Sequence, residues 1–176
     1  MHGRQENKEF PIPIQKHAHS NLLDVSFDTR QSLSYTSCML KIGVIDGQGG
    51  GIGALIVKRL REEFKESIEI IALGTNSTAT SAMMKSRANK GATGENAIVL
   101  NAARLDLIIG PLSIVLPDAI LGELTPKMAS AIVSSAAKKI LLPLNQEGID
   151  LVGINREPLP HFIEQVITKI KEIEHV

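Results

Sequence analysis

The chain has 176 residues, enough for one ordinary domain, with 19 basic and 19 acidic residues and no net charge. That balance excludes the cationic surface of a nucleic-acid binder and the polybasic block of a membrane-surface protein. A single cysteine, Cys38, excludes an internal disulfide framework and a cysteine-rich zinc site.

Residues 1–38 have no sustained period of 2 or 3.6 and include Pro11 and Pro13. They read as a poorly ordered N-terminal extension, with "LLDVSF" (Leu22 to Phe27) as an alternative short strand and Met39 as a candidate initiator. No apolar signal segment is evident there. No apolar run approaches the roughly 18 residues of a membrane span. The expectation is a cytoplasmic protein with no membrane or nucleic-acid partner.

From Met39 the pattern is regular. "LKIGVID" predicts a buried strand, followed by a helix from about Gly51 to Phe64 with Ile52, Leu55, Ile56, Leu60 and Phe64 on one stripe. "IEIIALG" predicts a second strand, and a helix from about Ser77 to Ala88 follows, capped by Asn76 or Ser77. "NKGATGEN" (Asn89 to Asn96) reads as a long polar loop, and "GENAIVLNAARL" as a helix closing near Arg104. "DLIIG" (Asp106 to Gly110) is a third strand. Pro111 to Leu116 is ambiguous, and Thr125-Pro126 opens a further helix, threonine at the cap and proline in the first turn. "KKILLPL" (Lys138 to Leu144) and "IDLVGI" (Ile149 to Ile154) predict two more strands, and a last helix follows Pro160.

Continuous apolar strands alternating with amphipathic helices define an α/β chain: a three-layer Rossmann-like domain over residues 39–176 with a mostly parallel sheet. Ligands of such folds lie beyond the C-terminal ends of the strands. The stretches expected there are Asp46–Gly53, Gly74-Thr75-Asn76, Gly110-Pro111-Leu112-Ser113 and Pro143-Leu144-Asn145.

The first stretch is the most informative. Five of the chain's 14 glycines fall between Gly47 and Gly53. Free N–H groups and the positive end of a helix dipole bind phosphate, and glycines permit its close approach. Gly49-x-Gly51-x-x-Ala54 fits the dinucleotide fingerprint. Gly47-x-x-x-Gly51-Ile52-Gly53 resembles the turn of short-chain dehydrogenases, with Asp46 in place of threonine. The motif follows a strand and opens a helix, the context it requires. The competing reading is that Gly53 and Ala54 only let the helix pack on the sheet.

A nicotinamide cofactor fits less well. The second strand ends in Leu73-Gly74-Thr75-Asn76 without the ribose-binding carboxylate, and from Met39 onward there is no tyrosine for a Tyr-x-x-x-Lys pair. Asp46 would repel a phosphate unless a cation such as Mg²⁺ lay between them; the alternative is that it accepts backbone N–H bonds and shapes the turn. Thr75, Asn76 and Ser77 are candidate ribose or phosphate contacts, with helix capping as the alternative for one or two of them. Glu95 and Asn96 sit at a helix start, where the dipole explains Glu95 as well as a binding role does, and Glu123 reads as a loop carboxylate with an acid or metal-ligand role as its alternative. Met83-Met84 reads as core filler. His17 and His19 lie in the extension, and His161 and His175 at the ends of the last helix, so no metal site or histidine-based triad assembles.

Taken together, "IDGQGGGIG", "IALGTN", "GATGENAIV", "LGELTP" and "AKKILLPLN" resemble an uncharacterised bacterial family of small proteins, from Met39 to Val176. Gly110-Pro111-x-Ser113 and Ala137-Lys138-Lys139 are similar to stretches of phospholactate-transferase-like, nucleotide-sugar-binding proteins. That likeness implies phosphate or nucleotide contact at Ser113. The expected ligand is a nucleotide, dinucleotide or other small phosphorylated molecule over Asp46, Gly47, Gly49, Gly50, Gly51, Ile52 and Gly53, flanked by Thr75, Asn76 and Ser113. A sensing or regulatory role is the first reading. A Mg²⁺-dependent enzyme acting on a phosphorylated or nucleotide-sugar substrate is the second, then a structural protein whose glycines serve packing alone, and an NAD(P)-dependent oxidoreductase last. A homodimer is the expected assembly.

Overall fold

The computed structural model describes residues 39–144, 148–155 and 157–174. The expected extension, Asn145 and His175 lie outside the described residues.

Five strands form one parallel sheet in the order β3-β2-β1-β4-β5. They are β1 (Leu40–Asp46), β2 (Ile68–Gly74), β3 (Lys90–Thr93), β4 (Leu107–Pro111) and β5 (Lys138–Leu142). The helices are α1 (Gly51–Phe64), α2 (Ser77–Lys85), α3 (Glu95–Ala102), α4 (Pro126–Ser134) and α5 (Leu159–Glu174), with a short 3-10 turn over Leu112–Val115. Winding runs outward from β1 to β3, then reverses across the sheet to β4, so the switch point lies between β1 and β4.

Strand alternation divides the core. Ile42 and Val44 of β1, with Ile70, Ile109 and Leu142, pack under α1, α2 and α5. Ile45, Leu73 and Ile108 point the other way, against Ile98 of α3 and Met128 and Ile132 of α4. Three layers result, as the alternation predicts. Arg59 of α1 holds Glu164 of α5 through Nε at 2.6 Å and Nη2 at 3.1 Å, above this core.

Several elements depart from the sequence reading. "NKGATGEN" contains β3, a polar edge strand paired with β2 from Ile71↔Lys90 to Gly74↔Thr93; all of its residues but Ala92 are exposed, so it carries no apolar period. Ile149–Ile154, expected as a strand, is irregular chain. Gly148 just before it and Gly153 within it have φ of 75° and 81°, a left-handed backbone that does not continue a strand. β5 stops at Leu142, before Pro143, which has no N–H to give to a ladder. In α1 the stripe passes through Val57, while Leu55 faces outward. Met83 is buried as expected, but Met84 is partly exposed. Among the described residues no helix is long and apolar enough to cross a membrane.

Candidate functional site

β1 ends at Asp46 and α1 begins at Gly51, so Gly47–Gly50 must reverse the chain in four residues. Gln48 at φ 49° and Gly50 at φ 69° make the reversal. Gly50 is required twice over: its left-handed φ suits glycine, and a Cβ there would lie 2.5 Å from the Ala79 Cα.

The turn is organised by Asp46. This carboxylate is 4% exposed. Its Oδ1 accepts from the Gly47 N–H at 2.8 Å and its Oδ2 from the Gly53 N–H at 2.6 Å. Gly53 is in the first turn of α1, so the helix carries an internal anion at its positive end. Burial pushes the Asp46 carboxyl above its ordinary range; hydrogen bonds from Gly53, Gly47 and Ile52 oppose this, and the charge of Glu123 adds to it. The backbone-shaping role is therefore the one the geometry displays.

A second carboxylate binds the turn from outside. Glu123 Oε2 accepts from the Gln48 N–H at 2.9 Å, the Thr75 hydroxyl at 2.5 Å and Asn76 Nδ2 at 2.9 Å. The Thr75 hydroxyl first, then the Gln48 N–H, hold Glu123 below the usual carboxylate range; burial opposes them, and the Asn76 amide adds a smaller lowering effect. Asn76 also donates to the Gln48 carbonyl at 3.0 Å and caps α2 by accepting from the Ala79 N–H at 2.8 Å. Thr75 and Asn76 are thus committed to joining three loops, and neither lines the cavity described next. The hub at Glu123 was missed by sequence reasoning. Its partners lie 48 and 75 residues away, and no local spacing reports such a contact.

The loop carrying Glu123 is itself strained. Asp118, Ile120 and Leu121 have φ of 61°, 60° and 56°, each in a region that costs a non-glycine residue roughly 1–2 kcal/mol. Its hydrogen bonds, including Asp118 N–H to the Leu124 carbonyl at 2.9 Å, hold this shape.

Between the β1 and β4 ends lies a cavity of about 360 Å³, lined by residues 46–52, Pro111, Ser113, Ile120, Leu144 and Leu159. It occupies the switch point. Of the ten sequence-selected residues it brings together Asp46, Gly47, Gly49, Gly50, Gly51, Ile52 and Ser113; Gly53 lies behind the turn, on Met83. Ser113 is only 3% exposed, and it faces the turn from the β4 side of this cavity. No Lys, Arg or His of the described residues lines this cavity. Nor do the described residues contain three metal-ligating side chains placed to hold an ion.

The glycines of the turn separate into two groups. A Cβ at Gly47 would lie 2.7 Å from the Thr75 hydroxyl and 2.8 Å from Ile120, and one at Gly53 would lie 2.6 Å from Met83 Sδ and 2.8 Å from the Asp46 Cβ. Packing accounts for these two, and backbone geometry for Gly50. At Gly49 and Gly51 an added Cβ meets nothing within 4 Å, and neither has a positive φ. Among the described residues, their N–H groups find no acceptor.

Fold and site together define a Rossmann-like α/β protein with a glycine-rich turn at its switch point. The chain belongs to the family described as a domain of unknown function (DUF3842), whose model matches residues 41–175. Two solved structures are similar to it. One is a dodecameric FMN-dependent UbiX-like decarboxylase from Escherichia coli O157:H7, 14% identical, aligned over 78% of this chain and 96% of that one with a TM-score of 0.43. The other is a universal stress protein in complex with cAMP, 16% identical, aligned over 57% of this chain and 94% of that one with a TM-score of 0.34. No curated protein matches the chain.

Proposed function

We propose that residues 39–174 form a binding unit for a small phosphorylated ligand, a nucleotide or a related phosphate ester, with a sensing or regulatory role. The observation that carries this reading is the pair Gly49 and Gly51. Both spend backbone entropy that alanine would save, and no packing or dihedral requirement among the described residues accounts for it. Open space above two free N–H groups at a helix N-terminus is what a phosphate oxygen uses. Ser113, which lines the cavity, adds a hydroxyl on the facing wall. The likeness of Gly110-Pro111-x-Ser113 to nucleotide-sugar-binding proteins supports the same assignment.

In this reading Asp46, Thr75 and Asn76 are positioning residues. Both Asp46 oxygens accept backbone N–H bonds, which argues against a Mg²⁺ bridge through Asp46 and places the metal-dependent enzyme second.

A dye-reported thermal shift of the full chain against mono-, di- and triphosphates, nicotinamide dinucleotides and nucleotide sugars, with and without Mg²⁺, tests it. A ligand at 100 times its Kd stabilises by about 2.7 kcal/mol, a shift on the order of 5–10 °C for a domain of this size. A hit independent of Mg²⁺ is expected. A hit that requires Mg²⁺ moves the assignment to the metal-dependent reading, and no shift with any phosphate overturns both.

A further inference from the structure

Beside the glycine-turn cavity lies a second one of about 320 Å³, and the two are continuous in their walls. Leu144 lines both. Leu112 lines the second and its neighbour Ser113 the first; on α5, Phe162 lines the second and Leu159, one turn earlier, the first. The second cavity has an apolar floor of Leu112, Pro143, Leu144 and Phe162. Its rim is the irregular segment 148–155, where Ile149, Leu151, Val152 and Ile154 all keep at least a third of their surface in water. Four large apolar side chains among six residues gain nothing from that exposure.

Charge narrows the occupant further. No described cation lines either cavity, and the second is bordered by the carboxylates of Asp150 and Glu157. A further anionic group entering there would meet the like charge of these two carboxylates.

Resting on the phosphate reading above, we propose that the second cavity binds the non-phosphate portion of the same ligand, and that this portion is apolar and uncharged. The ligand class is then a phosphate monoester of a hydrophobic group, with the phosphate on Gly49 and Gly51 and the body running past Ser113 and Leu144 beneath Leu151 and Ile154. Such a ligand buries the apolar rim that the chain leaves exposed.

Isothermal titration of the full chain with methyl, butyl and hexyl phosphate, and with 1-hexanol, reads this directly. Affinity should rise two- to fourfold per added methylene, the upper figure corresponding to complete burial. Leu151→Ser and Ile154→Ser should each flatten that dependence; both side chains are partly exposed, so the fold should survive either change, as circular dichroism would verify. Gly51→Ala should weaken every phosphate in the series together. Binding that is sensitive to Gly51→Ala yet indifferent to chain length overturns the apolar subsite and leaves the phosphate reading intact. Hexanol binding as tightly as hexyl phosphate overturns the phosphate reading and the two-part ligand with it, as does the absence of binding by the whole series.

Discussion

The Asp46 carboxylate reaches across the glycine turn to the Gly53 N–H at 2.6 Å, seven residues further on. The last side chain of β1 thereby caps the first turn of α1, while its other oxygen takes the Gly47 N–H. Donors that a Rossmann-type turn would offer a ligand at its back are occupied by the protein itself. At the outer lip, Gly49 and Gly51 stay open: a Cβ at either would meet nothing within 4 Å.

Replacing Asp46 by alanine would leave two buried N–H groups without acceptors. A loss of about 2–4 kcal/mol is expected, one unsatisfied donor costing about 1–3 kcal/mol. Urea denaturation of the variant checks it; an unchanged midpoint would remove Asp46 from its organising role.

Gly53→Ala and Gly50→Ala should destabilise the chain. The Gly53 Cβ would meet Met83 Sδ at 2.6 Å and the Asp46 Cβ at 2.8 Å, an overpacking cost of about 1–3 kcal/mol. The Gly50 substitution adds a left-handed φ to a 2.5 Å approach to the Ala79 backbone and should be the worse of the two. Melting temperatures in the order wild type, Gly53→Ala, Gly50→Ala, falling, are the expected result.

Glu123 and Asp46 should act oppositely with pH. Glu123 is held below its ordinary value, first by the Thr75 hydroxyl. Its stabilising contribution is present above the unfolded value of about 4.3 and is lost as pH falls through the depressed folded value. Asp46 is raised by burial, so its contribution is present below the unfolded value of about 3.9 and is lost as pH rises through the folded one. The stability difference between wild type and Glu123→Gln should therefore shrink as pH is lowered from about 6 to about 3, and urea midpoints across that range measure it. A difference that does not vary with pH would contradict the hydrogen-bonded hub.

Arg61 offers a control remote from the cavity. This guanidinium is 5% exposed and donates to the Arg87 carbonyl at 3.1 Å, to Asn89 Oδ1 at 2.5 Å and to the Lys65 carbonyl, joining the C-terminal ends of α1 and α2 to the start of β3. Arg61→Met should cost about 2–4 kcal/mol by stranding those acceptors. It should leave the affinity for any phosphate probe unaltered, which calorimetry at a temperature well below the variant's melting point would read.

Much of the architecture was legible because burial on both faces of the sheet imposes period and continuity on the residues themselves. The β1 and β2 runs, the Asn76 and Thr125 caps and the position of the glycine turn all follow from local chemistry. β3 was hidden because a polar edge strand has no apolar pattern. Ile149–Ile154 misled for the opposite reason: its apolar side chains resemble a buried strand, yet they form the rim of a cavity. The site was legible as a stretch but not in its division of labour. Which glycines answer to packing, and that Thr75 and Asn76 turn toward Glu123, depend on contacts between residues far apart in sequence, such as Gly53 with Met83 and Thr75 with Glu123, which spacing does not encode.

The most direct measurement is the melting temperature of the Gly51→Ala chain, alone and with the phosphate compound that most stabilises the wild type. Alone, the variant should melt at or above the wild-type temperature, since alanine at an unstrained position stabilises by about 0.4–1 kcal/mol, and the ligand-induced shift should collapse. A variant that melts lower on its own and keeps the full shift would contradict the account, returning Gly51 to packing and removing the ligand from the turn.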